Sequence, residues 1–424
     1  MNPAVLKGVL AVHGGVPVRT KPLPAWPYFA EDEISAVADV MRSGYVNYCT
    51  GQQGRQFERE FADAYHTKHA VAIANGTVAL ELALRSIGIR PGDHVITSSR
   101  TFFASASCIV MCGAIPIFAD VDRDAQNIRV ETIRAVLTPE TRAILMVHLG
   151  GNPCDMEPIV QFAKERNLFL IEDCAQAQGA TYRGRFVGSF GDAAAFSFCQ
   201  DKNMSTLGEG GMLTTNSSEL WERASAFRDH GTKYGETARP MNGNGFRWIH
   251  DSVGTNWRMT EAQAAVGRAQ LKKAGSRLDR RRAIANILRC RLGKIPALRV
   301  PAAHSDIEPA YYRFYVFVRP ERLRGGWNRD AILHAINEEG VACFTGSCGE
   351  VYLENAFAAW RPPFRHPIAR ELAETSLAFL VHPTLGEADV EDTCRAVEKV
   401  MACASSIAQS SSTRPQSQMD FTHP

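Results

Sequence analysis

Short apolar runs alternate with helical periodicity over residues 51–198. In the helical stretches apolar residues recur at helical spacing, as at Phe57, Phe61 and Tyr65, which indicates amphipathic helices. The runs between the helices, bounded by Gly, Pro or charged turn residues, are AVAIA (70–74), HVITS (94–98), IPIFADV (115–121), AILMVH (143–148), LFLIED (168–173) and AAAFSF (193–198). Near-continuous apolar strands that alternate with helices predict an α/β fold, with a mostly parallel sheet covered on both faces.

The pattern changes after Asn256. Residues 260–292 form one long, charged helical stretch, and we interpret its LKK and RLDRRR blocks as a solvated helix face. A strand-like run at 311–320, a helix at 329–339 and a closing helix at 390–402 follow. This mixture predicts a second, smaller α+β domain.

These changes divide the chain into four predicted segments. We predict an N-terminal arm over residues 1–30, a large α/β domain over 31–265, a small C-terminal domain over 266–403 and a tail over 404–424. The tail is rich in Ser, Gln and Pro and has few apolar residues to bury, so we expect it to be disordered.

The composition excludes several classes of protein. Lys+Arg 47 against Asp+Glu 45 leaves a net charge of +2, whereas a nucleic-acid-binding protein is more basic. The 11 cysteines form no CxxC pair, so we expect reduced thiols and no metal site. Neither a signal peptide nor a long apolar span is evident. We therefore expect a cytoplasmic protein that binds neither nucleic acid nor membrane.

Ligands of open parallel sheets bind beyond the carboxyl ends of the strands, so polar residues there are the first candidates. The run AVAIA ends in Asn75-Gly76-Thr77 and passes directly into an apolar helix. Glycine permits close backbone approach, and the free N–H groups of a first helical turn bind phosphate. The alternative is that Asn75 or Thr77 is simply an N-cap.

The run LFLIED ends in Glu172-Asp173. A carboxylate that closes an apolar strand needs a partner, because an isolated buried charge is costly. A cationic aromatic nitrogen is one such partner. An ordinary salt bridge or a helix cap remains the alternative.

The run AAAFSF contains Ser197 at its end and precedes Lys202, which a glycine-rich turn (208–211) follows. A lysine just beyond a buried strand can bring its amine into a pocket, where we expect desolvation to lower its pKa and make it nucleophilic. Most lysines are surface residues, and that alternative stays open for Lys202 taken alone.

A phosphate site, a carboxylate for a ring nitrogen and an amine for a Schiff base are together the parts that pyridoxal 5′-phosphate (PLP) requires. With these residues in view, the chain resembles the DegT/DnrJ/EryC1/StrS family of sugar aminotransferases. The segments that carry the resemblance are Gly76-Thr77, PGDHVITSSRTFFA (91–104), IEDCAQAQGA (171–180), GDAAAFSFCQDKNMSTLGEGG (191–211), RDHG (228–231) and GTNWRMT (254–260).

The resemblance implies a fold-type-I PLP-dependent transferase that works as a homodimer with active sites shared between subunits. It implies that Lys202 binds the cofactor as a Schiff base and then acts as the acid and base of the reaction. Asp173 would keep the pyridine nitrogen protonated.

The resemblance also implies roles for further residues around the cofactor. Gln176 would lie near the phenolic oxygen, and Phe102 would stack on the ring, although Phe102 could equally belong to the core. Gly76, Thr77 and Ser197 would bind the phosphate from within one subunit. Asn256 would reach the phosphate from the partner subunit. The alternative for Asn256 is that it is simply a turn residue. His148 and His230 match family histidines near the site, and a structural role is an equal alternative for both.

The reaction implied is an exchange in two halves. An amino acid, generally L-glutamate, converts the aldehyde form of the cofactor to its amine form, which then aminates a ketone, most often a nucleotide-linked keto-sugar. The alternatives are a cyclitol ketone of the scyllo-inosose type, an aminohydroxybenzoate product, a sugar dehydratase and a non-catalytic regulator. Dehydratases related to this family often carry His at the Schiff-base position, so Lys202 favours transamination.

Overall fold

A computed structural model of the chain describes residues 9–234, 249–302 and 304–406. The strands of these residues, in chain order, are β1 (His69–Ile73), β2 (His94–Ser98), β3 (Ile115–Ala119), β4 (Thr141–Val147), β5 (Phe169–Asp173), β6 (Thr181–Tyr182), β7 (Arg185–Phe186), β8 (Ala193–Ser197), β9 (Gly211–Thr215), β10 (Leu298–Arg299), β11 (Ile307–Glu308), β12 (Phe314–Val318), β13 (Cys343–Phe344) and β14 (Ser376–Phe379).

The α-helices of the same residues cover the sheets and link them. They are α1 (Glu31–Ser43), α2 (Gln53–Ala64), α3 (Gly76–Ser86), α4 (Ala104–Met111), α5 (Val130–Arg134), α6 (Met156–Glu165), α7 (Ser218–Arg228), α8 (Glu261–Leu292), α9 (Arg329–Glu338), α10 (Pro367–Thr375) and α11 (Glu387–Ala404). None of these helices is long and apolar enough to cross a membrane. The predicted disordered tail lies outside the described residues from residue 407 onward.

A seven-stranded sheet, ordered β1-β9-β8-β5-β4-β2-β3, occupies the centre of the first half of the chain. The pairs from β8 to β3 are parallel, whereas β9 runs antiparallel to both of its neighbours. All six predicted strands are present, and the predicted mostly parallel sheet is confirmed. We missed β9 because its sequence, GMLTT, is not the long apolar run typical of a buried parallel strand.

Helices cover both faces of this sheet, as predicted. Along β2, Val95 packs with α3 and α4 on one face, and Ile96 packs with α6 on the other. This alternation is the two-residue period of a strand. Helix α3, which is apolar nearly all round, is buried between the sheet and two other helices, α4 and α7.

A second sheet, ordered β10-β12-β14-β13 and entirely antiparallel, lies in the second half of the chain. Helices α9 and α11 pack on it, for example through Ile332 and Val397. The long helix predicted at 260–292 is α8, which begins at the N-cap Thr260 and crosses the predicted domain boundary at 265 as one continuous element. Its amino-terminal part packs on α1 and α2, and its later residues Ile284 and Leu288 join the core of the second sheet.

Candidate active site

Gly76 and Ser197 lie in direct contact at the carboxyl edge of the large sheet. A Cβ on Gly76 would be 2.6 Å from Ser197 Cβ and 3.1 Å from Ser197 Cα, so glycine is required for this approach. Asn75 is the N-cap of α3, and its side chain accepts a hydrogen bond from the Val78 N–H (3.0 Å). The N–H groups of Gly76 and Thr77, in the first turn, have no partner within the helix. This helix N-terminus has the geometry that binds anions.

Asp173 is a buried carboxylate at the end of β5. Its Oδ2 accepts a hydrogen bond from Ser105 Oγ (2.7 Å), and its Oδ1 accepts one from the Ala175 N–H (3.1 Å). Burial raises the pKa of Asp173 despite these hydrogen bonds and the nearby charge of Lys202. Within the described parts of the chain no cationic side chain forms an ion pair with Asp173, so the salt-bridge alternative does not hold there.

Gln176 follows Asp173 in the chain, and Phe102 precedes Ser105, the serine that contacts Asp173. Gln176 Oε1 accepts a hydrogen bond from the Gly150 N–H (2.7 Å), which orients the side chain and leaves its amide NH2 as a donor. The Ser105 N–H donates to the Phe102 C=O (3.2 Å), so Phe102 lies one helical turn from the serine that contacts Asp173. Phe102 is 62% exposed, so it is not a core residue.

The Lys202 turn is held through its backbone. The Lys202 N–H donates to the Cys199 C=O (3.1 Å), and the indole N–H of Trp26 donates to the Lys202 C=O (2.9 Å). Trp26 comes from the N-terminal arm, so the arm supports the turn from outside the large sheet. The position of Lys202 therefore does not depend on its own side chain.

The Lys202 amine lies beside two oxygen atoms, 3.1 Å from Asp201 Oδ1 and 3.4 Å from the Tyr312 hydroxyl. Burial by itself lowers the pKa of Lys202, but Tyr312 and Asp201 outweigh burial, and the pKa is raised. Our expectation of a lowered pKa was wrong because the sequence does not reveal that Tyr312 approaches this amine.

Asn256 and His230 are both on the surface of the single subunit. Asn256 pairs with Asp229 in an isolated β-bridge, and the next residue, Trp257, accepts a hydrogen bond from the Ala74 N–H (2.8 Å) at the end of β1. The His230 ring lies 6.3 Å from the His250 ring, measured between centroids. Exposure of Asn256 beside the α3 N-terminus is compatible with contact to a second subunit.

His148 is buried at the end of β4, where its ring nitrogens are both engaged. Its Nδ1 accepts from the Cys154 N–H (3.0 Å), so the ring proton lies on Nε2, which faces Glu172 Oε2 at 3.2 Å. His148, Glu172 and Cys174 form the set of potential metal ligands found among the described residues. Glu172 also accepts hydrogen bonds from three backbone N–H groups, those of Gly188, Phe190 and Gly191. These hydrogen bonds hold the His148 ring and the Glu172 carboxylate in place beneath the end of the sheet.

Comparison with known proteins adds to this geometry. A model of the DegT/DnrJ/EryC1/StrS aminotransferase family matches residues 27–398, which is most of the chain. The chain belongs to the DegT/DnrJ/EryC1/StrS aminotransferase family. The expected fold class, an α/β PLP-dependent transferase, and the expected aminotransferase activity are confirmed.

Individual members of the DegT/DnrJ/EryC1/StrS family are similar over nearly their whole length. The spore coat polysaccharide biosynthesis protein SpsC of Bacillus subtilis (strain 168) is 35% identical, over 88% of this chain and 96% of SpsC. GDP-perosamine synthase of Caulobacter vibrioides is 36% identical, over 89% of this chain and 97% of that enzyme. The X-ray structure of the aminotransferase from Psychrobacter cryohalolentis superposes with a TM-score of 0.88 and 49% identity, over 90% of this chain and 99% of that one.

Aminotransferases of this family generally depend on PLP, and the residues of this chain fit that cofactor. The contact of Gly76 with Ser197 leaves a helix N-terminus for a phosphate, and the buried Asp173 has no cationic partner of its own in the described chain. Lys202 is near enough for its charge to act on Asp173.

Three residues of this aminotransferase site were missed by the sequence analysis: Ser105, Trp26 and Tyr312. Ser105 contacts Asp173, whereas Trp26 and Tyr312 contact the Lys202 turn. Trp26 and Tyr312 are 176 and 110 positions from Lys202 in the chain. No local pattern signals contacts at such separations.

In this aminotransferase, Gly76→Ala is expected to weaken PLP binding at least ~10-fold and to cost about 1–3 kcal/mol of folding free energy. The new methyl group overlaps Ser197, including its backbone Cα, and pushes the α3 N-terminus away from β8. Titration of the apoprotein with PLP and thermal unfolding measure the two effects. Gly275→Ala is the matched control, because Gly275 lies in helix α8 with no heavy atom within 4 Å of a built Cβ. Equal PLP affinity in Gly76→Ala and the wild type would contradict the assignment.

Proposed function

We propose that this protein is a PLP-dependent aminotransferase that transfers the amino group of L-glutamate to a nucleotide-linked keto-sugar in amino-sugar, polysaccharide or secondary-metabolite biosynthesis. The observation that carries the proposal is geometric: Asp173 ends β5, Ser197 ends the adjacent strand β8 in contact with Gly76, and Lys202 lies in the turn after β8, all at one edge of the sheet. A carboxylate, an amine and an anion-binding helix N-terminus are the groups that this chemistry needs.

Each residue has a distinct task in the proposal. Gly76, Thr77 and Ser197 hold the phosphate, joined by Asn256 of the partner subunit in a homodimer. Asp173 accepts a hydrogen bond from the protonated ring nitrogen, Gln176 donates toward the phenolic oxygen, and Phe102 stacks on the ring.

Lys202 holds the cofactor covalently and moves the proton during transfer. When bound, the cofactor supplies an electron sink for the pair released at the substrate carbon. Lys202 Nζ would take the proton from the carbon that loses the amino group and deliver it to the carbon that receives the amino group. The amine is suited to this task because its turn is held by the backbone.

The relatives support the class of acceptor. GDP-perosamine synthase is by its name an enzyme of a nucleotide-linked amino sugar, and SpsC is named for polysaccharide biosynthesis. A keto-sugar with a nucleoside diphosphate is therefore the acceptor that we propose for this chain. Its anionic diphosphate is compatible with a net charge of +2, because only a few local cations are needed to bind it.

A substrate panel tests the proposal directly. We expect purified protein with PLP and L-glutamate to aminate at least one nucleotide-linked 3-keto- or 4-keto-sugar, with 2-oxoglutarate formed in equal amount. Mass spectrometry of the products and omission of glutamate provide the readout and its control. Turnover only with cyclitol ketones would show that the acceptor is a cyclitol ketone and not a keto-sugar. Loss of a hydroxyl group without amination would indicate a dehydratase.

A further inference from the structure

Lys202, Asp201 and Tyr312 form a closed ring of polar contacts. Lys202 Nζ lies 3.1 Å from Asp201 Oδ1 and 3.4 Å from the Tyr312 oxygen, while the Tyr312 hydroxyl donates to Asp201 Oδ2. A tyrosine hydroxyl has one proton, so the oxygen that faces Lys202 presents lone pairs to it. Both contacts of the amine are therefore with acceptors, which is the arrangement that an ammonium group requires.

The surroundings of this ring are compatible with an ionised pair. The Lys202 side chain is 16% exposed, and its amine also lies 4.6 Å from the centroid of the Tyr312 ring, a cation–π contact. Arg313 Nη2 lies 3.8 Å from Asp201 Oδ2. Lys202 also acts on a second carboxylate, Asp173, where its charge partly offsets the effect of burial on the pKa. The pKa of Asp201 is lowered because Lys202 and Tyr312 outweigh the effect of burial.

The members of the ring come from two different parts of the fold. Asp201 and Lys202 are neighbours in the turn after β8, and Tyr312 lies just before β12 of the small sheet. The turn itself is held by its backbone, so the ring is not needed to build it. The contacts of the ring instead position the amine of Lys202.

We propose that Asp201, with Tyr312, holds the Lys202 amine whenever that amine is not bonded to the cofactor, and so keeps it in reach of the reacting carbon as a proton carrier. Asp201 is thus a positioning residue, and the inference rests on the function proposed above for Lys202. An opposite charge near 3 Å favours the charged form of an amine. The ring therefore favours retention of the proton on Lys202 between its removal from one carbon and its delivery to the other.

The protonation of Lys202 in cofactor-free protein tests this inference. Competitive labelling with an amine-reactive reagent over a pH series, read by mass spectrometry of the Lys202 peptide, measures the pKa of this amine. We expect Asp201→Asn to lower the pKa of Lys202 by about 1 unit, since the loss of one opposite charge has this effect. Tyr312→Phe is expected to lower it less, and Asp201→Glu to preserve it.

Asp32→Asn is the matched control, because Asp32 Oδ1 pairs with the Lys273 amine at 2.6 Å on the protein surface. It should alter labelling of Lys273 and leave Lys202 unchanged. Circular dichroism checks that each variant is folded. A Lys202 pKa that is the same in Asp201→Asn and the wild type would overturn the inference. This measurement needs neither cofactor nor substrate, so its result is independent of the substrate panel. Failure of the substrate panel would overturn the proposed function alone.

Discussion

Lys202→Ala is expected to abolish covalent attachment of PLP and to reduce turnover at least ~1,000-fold, because one side chain supplies both the amine for attachment and the proton carrier. The fold should survive, since the contacts that hold the turn use the Lys202 backbone N–H and C=O. The visible absorbance band of the protein-bound cofactor, which should disappear, and the rate of 2-oxoglutarate formation measure the two losses.

The matched control for this variant is Lys272→Ala, which removes an exposed lysine of helix α8. Its absorbance band and turnover should equal those of the wild type. A Lys202→Ala protein with full turnover would exclude Lys202 as the cofactor-binding residue.

Asp173→Asn is expected to retain PLP but to lose about 10- to 100-fold in turnover from this contact alone. A charge-assisted hydrogen bond contributes about 1.5–3 kcal/mol, and the neutral amide cannot stabilise the protonated ring nitrogen in the same way. Asparagine has the same shape and keeps one oxygen acceptor, so the buried strand end should stay intact. Cofactor content by absorbance and steady-state kinetics separate loss of binding from loss of chemistry.

Ser105→Ala is the companion variant, because it leaves Asp173 in place and removes one of its hydrogen bonds. That hydrogen bond lowers the pKa of Asp173, so its removal raises the pKa further. The carboxylate is then protonated at a higher pH, and the acid limb of the activity profile should move to higher pH. Unchanged turnover in Asp173→Asn would show that another group is the partner of the ring nitrogen.

The sequence predicted the parts of the fold whose pattern is local. Six of the seven central strands are apolar runs bounded by turns, and α8 is the long, charged helical stretch expected at 260–292. The strands were predicted because burial of a parallel strand on both faces demands a continuous apolar run. Strand β9 has no such run, so only its pairing with β1 and β8 identifies it.

The candidate site likewise has features that local sequence patterns predicted and features that they did not. Gly76, Asp173, Ser197 and Lys202 lie at or just after strand ends, and each of them was selected as a candidate from the sequence. The pKa values of the site groups, in contrast, depend on residues that are distant along the chain. The pKa of Lys202 is raised because Tyr312, which lies just before the distant strand β12, and Asp201 together outweigh burial.

By itself, then, the sequence determined the class of sheet, the residues at its carboxyl edge and the family to which they belong, because strand burial and strand-end motifs are written in consecutive residues. The tertiary structure alone decided which groups surround those residues: Ser197 against Gly76, Ser105 on Asp173, Trp26 and Tyr312 on the Lys202 turn. Hydrogen bonds and electrostatic interactions act over a few ångströms in space, regardless of the separation along the chain. For this reason the charge of Lys202 could be derived only from the folded protein.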